Sequence, residues 1–227
     1  MTGATPAVGL LHTVPTLAAT FDGLLAPHRP DLRRIHVVDG WLLATARREG
    51  VTDAVRSGVG KHVRHLAAAG ADAVLVTCSS IGEAAEAAAA LVAVPVVRVD
   101  SAMADEAVAI AANGAGRIAV LATLESTLGP TGRLVERAAG RAGETLAVSA
   151  EVVAGAAEAA DAGERSAVDA LVAAAVGRAA ASADVIVLAQ ASMAGAAEAA
   201  AVDVPVLASP AGGVRTLLAA LAGADRA

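Results

Sequence analysis

Short runs of valine, isoleucine and leucine alternate along this chain with longer stretches in which apolar residues recur every three to four positions. The short runs predict strands over 7–11, 35–38, 73–77, 94–98, 117–122, 146–153, 184–189 and 204–207. The longer stretches predict helices over 50–69, 82–91, 102–113, 128–142, 164–181, 193–200 and 211–222. In the first of them Val51, Val55, Val59, Val63 and Leu66 keep a helical period. Uninterrupted apolar strands separated by helices indicate parallel sheets covered on both faces, an α/β architecture.

The pattern is written twice. Asp72-Ala73-Val74-Leu75-Val76-Thr77-Cys78-Ser79-Ser80-Ile81 returns 112 positions later as Asp184-Val185-Ile186-Val187-Leu188-Ala189-Gln190-Ala191-Ser192-Met193. Asp72 then matches Asp184, Ser80 matches Ser192 and Glu86 matches Glu198. At an offset of 110, Val8-Gly9-Leu10-Leu11-His12-Thr13 matches Ile118-Ala119-Val120-Leu121-Ala122-Thr123, and Val94-Pro95-Val96 matches Val204-Pro205-Val206. Three matches in the same order predict a four-stranded α/β unit made twice. The expected division is residues 1–101 plus 210–227 as an N-terminal lobe and 102–209 as a C-terminal lobe, the last helix returning to the first lobe.

Composition narrows the classes. Hydrophobic residues make up 56 % of the 227. Charges such as Glu83, Glu86, Asp105, Asp169 and Asp203 nevertheless interrupt every apolar stretch before it reaches the roughly 18 residues of a membrane span. The N-terminal segment has no basic flank and contains His12 and Pro15, so it reads as a first strand. One unpaired cysteine and no export signal point to the cytoplasm. A net charge of −6 with scattered basic residues argues against a nucleic-acid partner, and nothing predicts a membrane partner. One Phe, one Trp and no Tyr leave nothing to stack on a flavin, and no glycine-rich nucleotide loop occurs. His62 and His65 lie three apart on one helix without further ligands in pattern, so no metal site is expected.

Ligands of open α/β sheets bind beyond the carboxyl ends of the strands. Four such ends fall at His12-Thr13, Thr77-Cys78-Ser79-Ser80, Thr123-Leu124-Glu125-Ser126-Thr127 and Gln190-Ala191-Ser192. Their hydroxyls, and the N–H groups of the helices two of them start, suit a carboxylate. Cys78, the only cysteine, stands at a strand end before a helix start, where a lowered thiol pKa is expected. Asp39-Gly40-Trp41 follows the second strand, with Trp41 a candidate roof for the site or interface residue. Arg33 and Arg34 precede that strand at the end expected to be remote from the chemistry.

The segments VLVTCSS at 74–80, LATLESTL at 121–128 and VIVLAQASM at 185–193, with the duplicated layout, resemble the aspartate/glutamate/hydantoin racemase superfamily, which includes maleate isomerases and arylmalonate decarboxylases. The resemblance covers nearly the whole chain. It implies two pseudo-symmetric flavodoxin-like lobes with the active site in the cleft between them, no metal and no organic cofactor. It further implies acid/base chemistry at the carbon next to a carboxylate of a small substrate. A homo-oligomer, dimer or higher, is the expected assembly.

In the two-base members a cysteine from each lobe serves one face of the substrate. The first maps onto Cys78 and the second onto Gln190, whose amide is no base near neutral pH. Three readings stay open. Cys78 acts alone in a one-sided decarboxylation or isomerisation; His12 stands in as the second base of a racemase; or the protein binds a carboxylate without turning it over. Thr13, Ser79, Ser80, Thr123, Ser126, Thr127, Ala191 and Ser192 are the candidate substrate-binding residues.

Overall fold

The computed structural model describes residues 5–224. In chain order its elements are β1 (Ala7–His12), α1 (Thr16–Leu25), β2 (Arg33–Val38), α2 (Gly40–Glu49), α3 (Asp53–Ala68), β3 (Ala73–Val76), α4 (Gly82–Ala88), β4 (Val96–Arg98) and α5 (Ser101–Ala112). These are followed by β5 (Arg117–Ala122), α6 (Glu125–Ala142), β6 (Ala147–Val152), α7 (Ala156–Asp161), α8 (Arg165–Ala179), β7 (Val185–Leu188), α9 (Ala194–Ala199), β8 (Val206–Ala208) and α10 (Ser209–Ala224). They form two compact units, one up to Val99 and resuming at Pro210, the other from Asp100 to Ser209. Among the described residues no helix is long and apolar enough to cross a membrane.

The first unit holds an all-parallel sheet in the order β2-β1-β3-β4. Strand residues alternate between its faces. Leu11, Val74 and Val76 pack with α2, α3 and α4 through Leu42, Val55, Val59, Val63, Leu66 and Ala85. Gly9 belongs to that face: a methyl group on it would stand 2.8 Å from Leu66 Cβ, so α3 can approach only because the strand has no side chain there. Phe21, from α1, lies 5.9 Å from the His12 ring and covers the opposite face. Helix α10 rests on Val99, whose Cγ2 would stand 2.8 Å from a methyl on Gly213.

The second unit repeats the plan with the order β6-β5-β7-β8, again all parallel. One face packs Val120, Val185 and Val187 against α5 and α6 through Met103, Ala107, Leu134 and Val135. The other packs Leu121, Ile186 and Leu188 against α7, α8 and α9 through Ala156, Val172, Val176 and Ala196.

The repetition reaches single hydrogen bonds. Asp72 Oδ2 accepts the Ala7 N–H at 2.8 Å, while the Asp72 N–H donates to the Ala7 carbonyl at 2.8 Å. Asp184 and Arg117 form the same closed pair at 2.7 and 2.9 Å. The Arg117 N–H holds the Asp184 carboxyl below the usual carboxylate range. Each aspartate thereby fixes where the third strand begins beside the first, and so sets where both strands end.

Three short helices, α1, α2 and α7, lie where no helix was expected, and α6 starts at Glu125, ahead of the expected 128. Leu17, Phe21 and Leu25 do recur at four-residue spacing in α1, and Asp39 caps α2 by accepting the Trp41 N–H at 3.0 Å. Arg33 and Arg34 lie within β2 and not before it. Arg33 donates to the carbonyls of Ala69 and Gly70 at 3.2 Å, at the strand's amino end.

Candidate functional site

In the first unit β1 and β3 run side by side and stop together, so Thr13 and Cys78 emerge as neighbours. After Cys78 the chain makes a single 3-10 turn over Ser79–Ile81, with the Ile81 N–H closing on the Cys78 carbonyl at 3.3 Å, and enters α4. Cys78 itself is partly buried and packs against the α2–α4 face of the sheet.

Burial pushes the Cys78 thiol up, the reverse of the lowering expected from its position. The Thr13 hydroxyl, the Ser80 N–H and hydroxyl and the Ile81 backbone all favour the thiolate without overcoming that burial. A three-residue turn supplies a much smaller dipole than a full helix, so desolvation dominates. At neutral pH the resting group is therefore the neutral thiol.

Polar atoms gather around it. Thr13 and Ser79 are 3 % and 4 % exposed, and the hydroxyl oxygen of each is buried without a hydrogen-bond partner among the described residues. Thr13 thus acts on the sulfur as a nearby dipole and not through a well-formed hydrogen bond. An unpaired buried hydroxyl costs about 1–3 kcal/mol. Ser80 is buried too, and its hydroxyl already serves the sulfur.

The second unit builds the same corner from different groups. Thr123 and Gln190 occupy the ends of β5 and β7, and the Met193 N–H closes the following turn on the Gln190 carbonyl at 3.0 Å. Gln190 is latched to Thr123 twice: Oε1 accepts the Thr123 N–H at 2.6 Å, and Nε2 donates to Thr123 Oγ1 at 2.6 Å. The pair retains one amide N–H and the threonine O–H for an incoming acceptor. Ser126 Oγ is buried without a partner among the described residues, Thr127 and Ala191 are buried, and Ser192 is exposed. Residue for residue, the Cys78–Thr13 corner and the Gln190–Thr123 corner are equivalent, but only the first can exchange a proton.

His12 stands apart from this chemistry. It lies on the α1 side of the sheet, beside Phe21, while Cys78 packs on the other side. Both ring nitrogens are engaged, Nδ1 with Thr77 Oγ1 and Nε2 with His36 Nδ1, each at 2.9 Å. Thr77 donates its proton to the Leu11 carbonyl at 3.1 Å, so it accepts from His12 Nδ1–H and leaves Nε2 to accept from His36. Burial, then the neighbouring His36, lowers the His12 pKa from 6.5 to about 4, against a smaller opposing effect of Asp22. The ring is neutral at neutral pH, with both nitrogens engaged by Thr77 and His36.

His62 Nε2–H donates to Asp39 Oδ2 at 2.7 Å, and among the described residues no group of three or more His, Cys, Asp or Glu is arranged to hold a metal. Trp41 is half exposed on α2. Arg98 escaped notice in the sequence: it ends β4, is 4 % exposed, and pairs with Glu86 Oε1 at 2.7 Å. The repeat carried the signal, because the residue matching Arg98 at the offset of 110 is Ala208.

Among curated proteins none matches the chain. Solved structures that share its fold include a glutamate racemase from Bacillus anthracis, 18 % identical with a TM-score of 0.77 over 96 % of this chain and 82 % of that one. An allantoin racemase from Klebsiella pneumoniae is 17 % identical with a TM-score of 0.66, over 96 % and 88 %. An arylmalonate decarboxylase is 18 % identical with a TM-score of 0.60, over 96 % and 93 %. A family model described as Asp/Glu/Hydantoin racemase matches residues 11–217, nearly the whole length, and the chain belongs to that family.

Proposed function

We propose that this protein is a cofactor-independent enzyme in which the Cys78 thiol transfers a proton at the carbon next to a carboxylate of a small substrate. The reaction is one-sided, a decarboxylation or an isomerisation, and not a symmetrical racemisation. One observation carries the reading: of two equivalent corners, one presents a thiol and the other an amide already committed to its threonine.

The protonation state favours an acid-first order. Loss of carbon dioxide from a malonate-type substrate leaves an enediolate whose α carbon needs one proton. Cys78, neutral at rest because it is buried, delivers its S–H proton to that carbon and becomes a thiolate, which regains a proton from solvent. The thiolate left behind is the form that Thr13, Ser80 and Ile81 favour. The unsatisfied hydroxyls of Thr13 and Ser79 suit the carboxylate and enediolate oxygens. Related proteins act on glutamate, allantoin or arylmalonates by name, so the substrate set to try spans amino acids, ureides and malonates.

The test is turnover of amino acids, malonates, hydantoins and unsaturated diacids, without added metal or cofactor, by the protein and by Cys78→Ala. Turnover that the variant loses while still binding substrate supports the proposal, and turnover retained without the thiol ends it. A second reading, a carboxylate-binding protein without catalysis, draws on the same raised thiol pKa, since an inert buried cysteine behaves alike. Saturable binding with no turnover of any member of the set would favour it.

A further inference from the structure

The two corners also differ at two coupled matched positions. Gly82, which opens α4, corresponds to Ala194, and Arg98, which ends β4, corresponds to Ala208. The two exchanges are sterically coupled. A methyl group on Gly82 would stand 2.5 Å from Arg98 Nη2, 2.6 Å from Cζ and 2.8 Å from Nε. Three guanidinium atoms at nearly one distance mean that the planar group presents its face to the Gly82 backbone. A side chain at position 82 would require the guanidinium to move. On its far edge Nη1 meets Glu86 Oε1, one turn further along α4, at 2.7 Å. The guanidinium therefore grips the first turn of α4 from beneath, by contact at Gly82 and by an ion pair at Glu86.

That turn follows directly on Ser79–Ile81, which carries the groups that favour the Cys78 thiolate. The other unit shows why a grip is needed in one corner only. Gln190 anchors its own turn through two 2.6 Å hydrogen bonds to Thr123. A thiol is a weak donor and a weak acceptor and makes no comparable latch.

We propose that Arg98, seated on Gly82 and tied to Glu86, is a positioning residue that holds the Ser79–Ile81 turn so that its donors face the Cys78 sulfur. This rests on the reading of Cys78 as the reacting group. Arg98 acts through the turn, by its seat on Gly82 and its ion pair with Glu86.

The test follows alkylation of Cys78, the chain's only cysteine, by iodoacetamide as a function of pH, with thermal unfolding measured alongside. The proteins are the parent, Arg98→Ala, Arg98→Lys, Gly82→Ala and the double variant Gly82→Ala/Arg98→Ala. Glu86, the arginine's ion-pair partner on α4, is substantially exposed. The expected result for Arg98→Ala is an alkylation profile displaced upward by about one pH unit, which is about tenfold slower reaction at pH 8. Arg98→Lys, which keeps the charge but not the flat contact, moves the same way. The double variant reproduces the pairing of the other unit, so it regains most of the thermal midpoint but keeps the displaced profile.

A parent-like profile in Arg98→Ala overturns the proposal. So does a double variant whose profile returns together with its stability, since the arginine would then be a space filler. Faster alkylation at every pH also overturns it, because that reports a loosened lid over the sulfur. Should Arg98→Ala not fold, the double variant decides by the same criteria. Turnover by Cys78→Ala is read separately: if that variant stays active the catalytic reading fails whatever the alkylation profiles do, whereas unmoved profiles beside a dead Cys78→Ala remove only the role of Arg98.

Discussion

Acidification should weaken the first unit through a single buried ring. His12 is 0 % exposed, and its pKa stands at about 4 in the folded chain against 6.5 when unfolded. The folded value is the lower one, so as pH falls the unfolded chain takes up the proton first. Stability is then complete above about pH 7, declines through the interval between the two values, and levels off below about pH 4. At about 1.4 kcal/mol per pH unit the full loss is about 3 kcal/mol, of which about 2 kcal/mol falls between pH 7 and pH 5. The assay is urea unfolding at those two pH values. Emission from Trp41, the only tryptophan, reports on the same unit. The control is His12→Asn, whose amide can still donate to Thr77 but does not titrate. The parent should lose about 2 kcal/mol on acidification and the variant a small fraction of that. An equal loss in both would refute the reasoning and locate the sensitivity in another group.

Further outcomes follow from the geometry. Asp72→Ala removes the acceptor for the Ala7 N–H and should cost about 1–2 kcal/mol of unfolding free energy, read from urea midpoints, and Asp184→Ala, which removes the acceptor for Arg117, should lower the midpoint too. Gly9→Ala drives a methyl to 2.8 Å from Leu66 Cβ and should cost about 1–3 kcal/mol, with thermal unfolding as the measurement. Thr123→Val deletes the hydroxyl that Gln190 Nε2 donates to, so substrate binding should weaken by about 1 kcal/mol, or roughly fivefold in Kd, read by titration calorimetry.

How much of this was legible in the sequence depends on the range of the interaction. The eight strands and the doubled layout were readable because burial on both faces of a parallel sheet writes continuous apolar runs, and each aspartate before the third strand recurs with its partner. Helices α1 and α2 were not, since each spans only ten residues and α2 opens on Gly40 and ends against Gly50. Their signals, Leu17-Phe21-Leu25 and the Asp39 cap, are short against the Thr, Pro and Gly around them. The position of Cys78 at a strand end was likewise a local matter. Its protonation was not: desolvation by α2, α3 and α4 decides the sign, and packing of that kind leaves no mark on the residues next to Cys78. His12 is a related case. Its place at the end of β1 was visible, but the face it takes follows from strand alternation, and its saturation depends on Thr77 and His36, 65 and 24 residues away. Arg98 was recoverable by reading the repeat for its differences as well as its matches.

The most direct test of the central claim is deuterium incorporation at the α carbon of a turned-over carboxylate in heavy water, followed by NMR and chiral analysis. A single proton donor predicts one deuterium delivered to one face, giving one enantiomer, and no product from Cys78→Ala. Product labelled equally on both faces, or formed at the parent rate without the thiol, would contradict it.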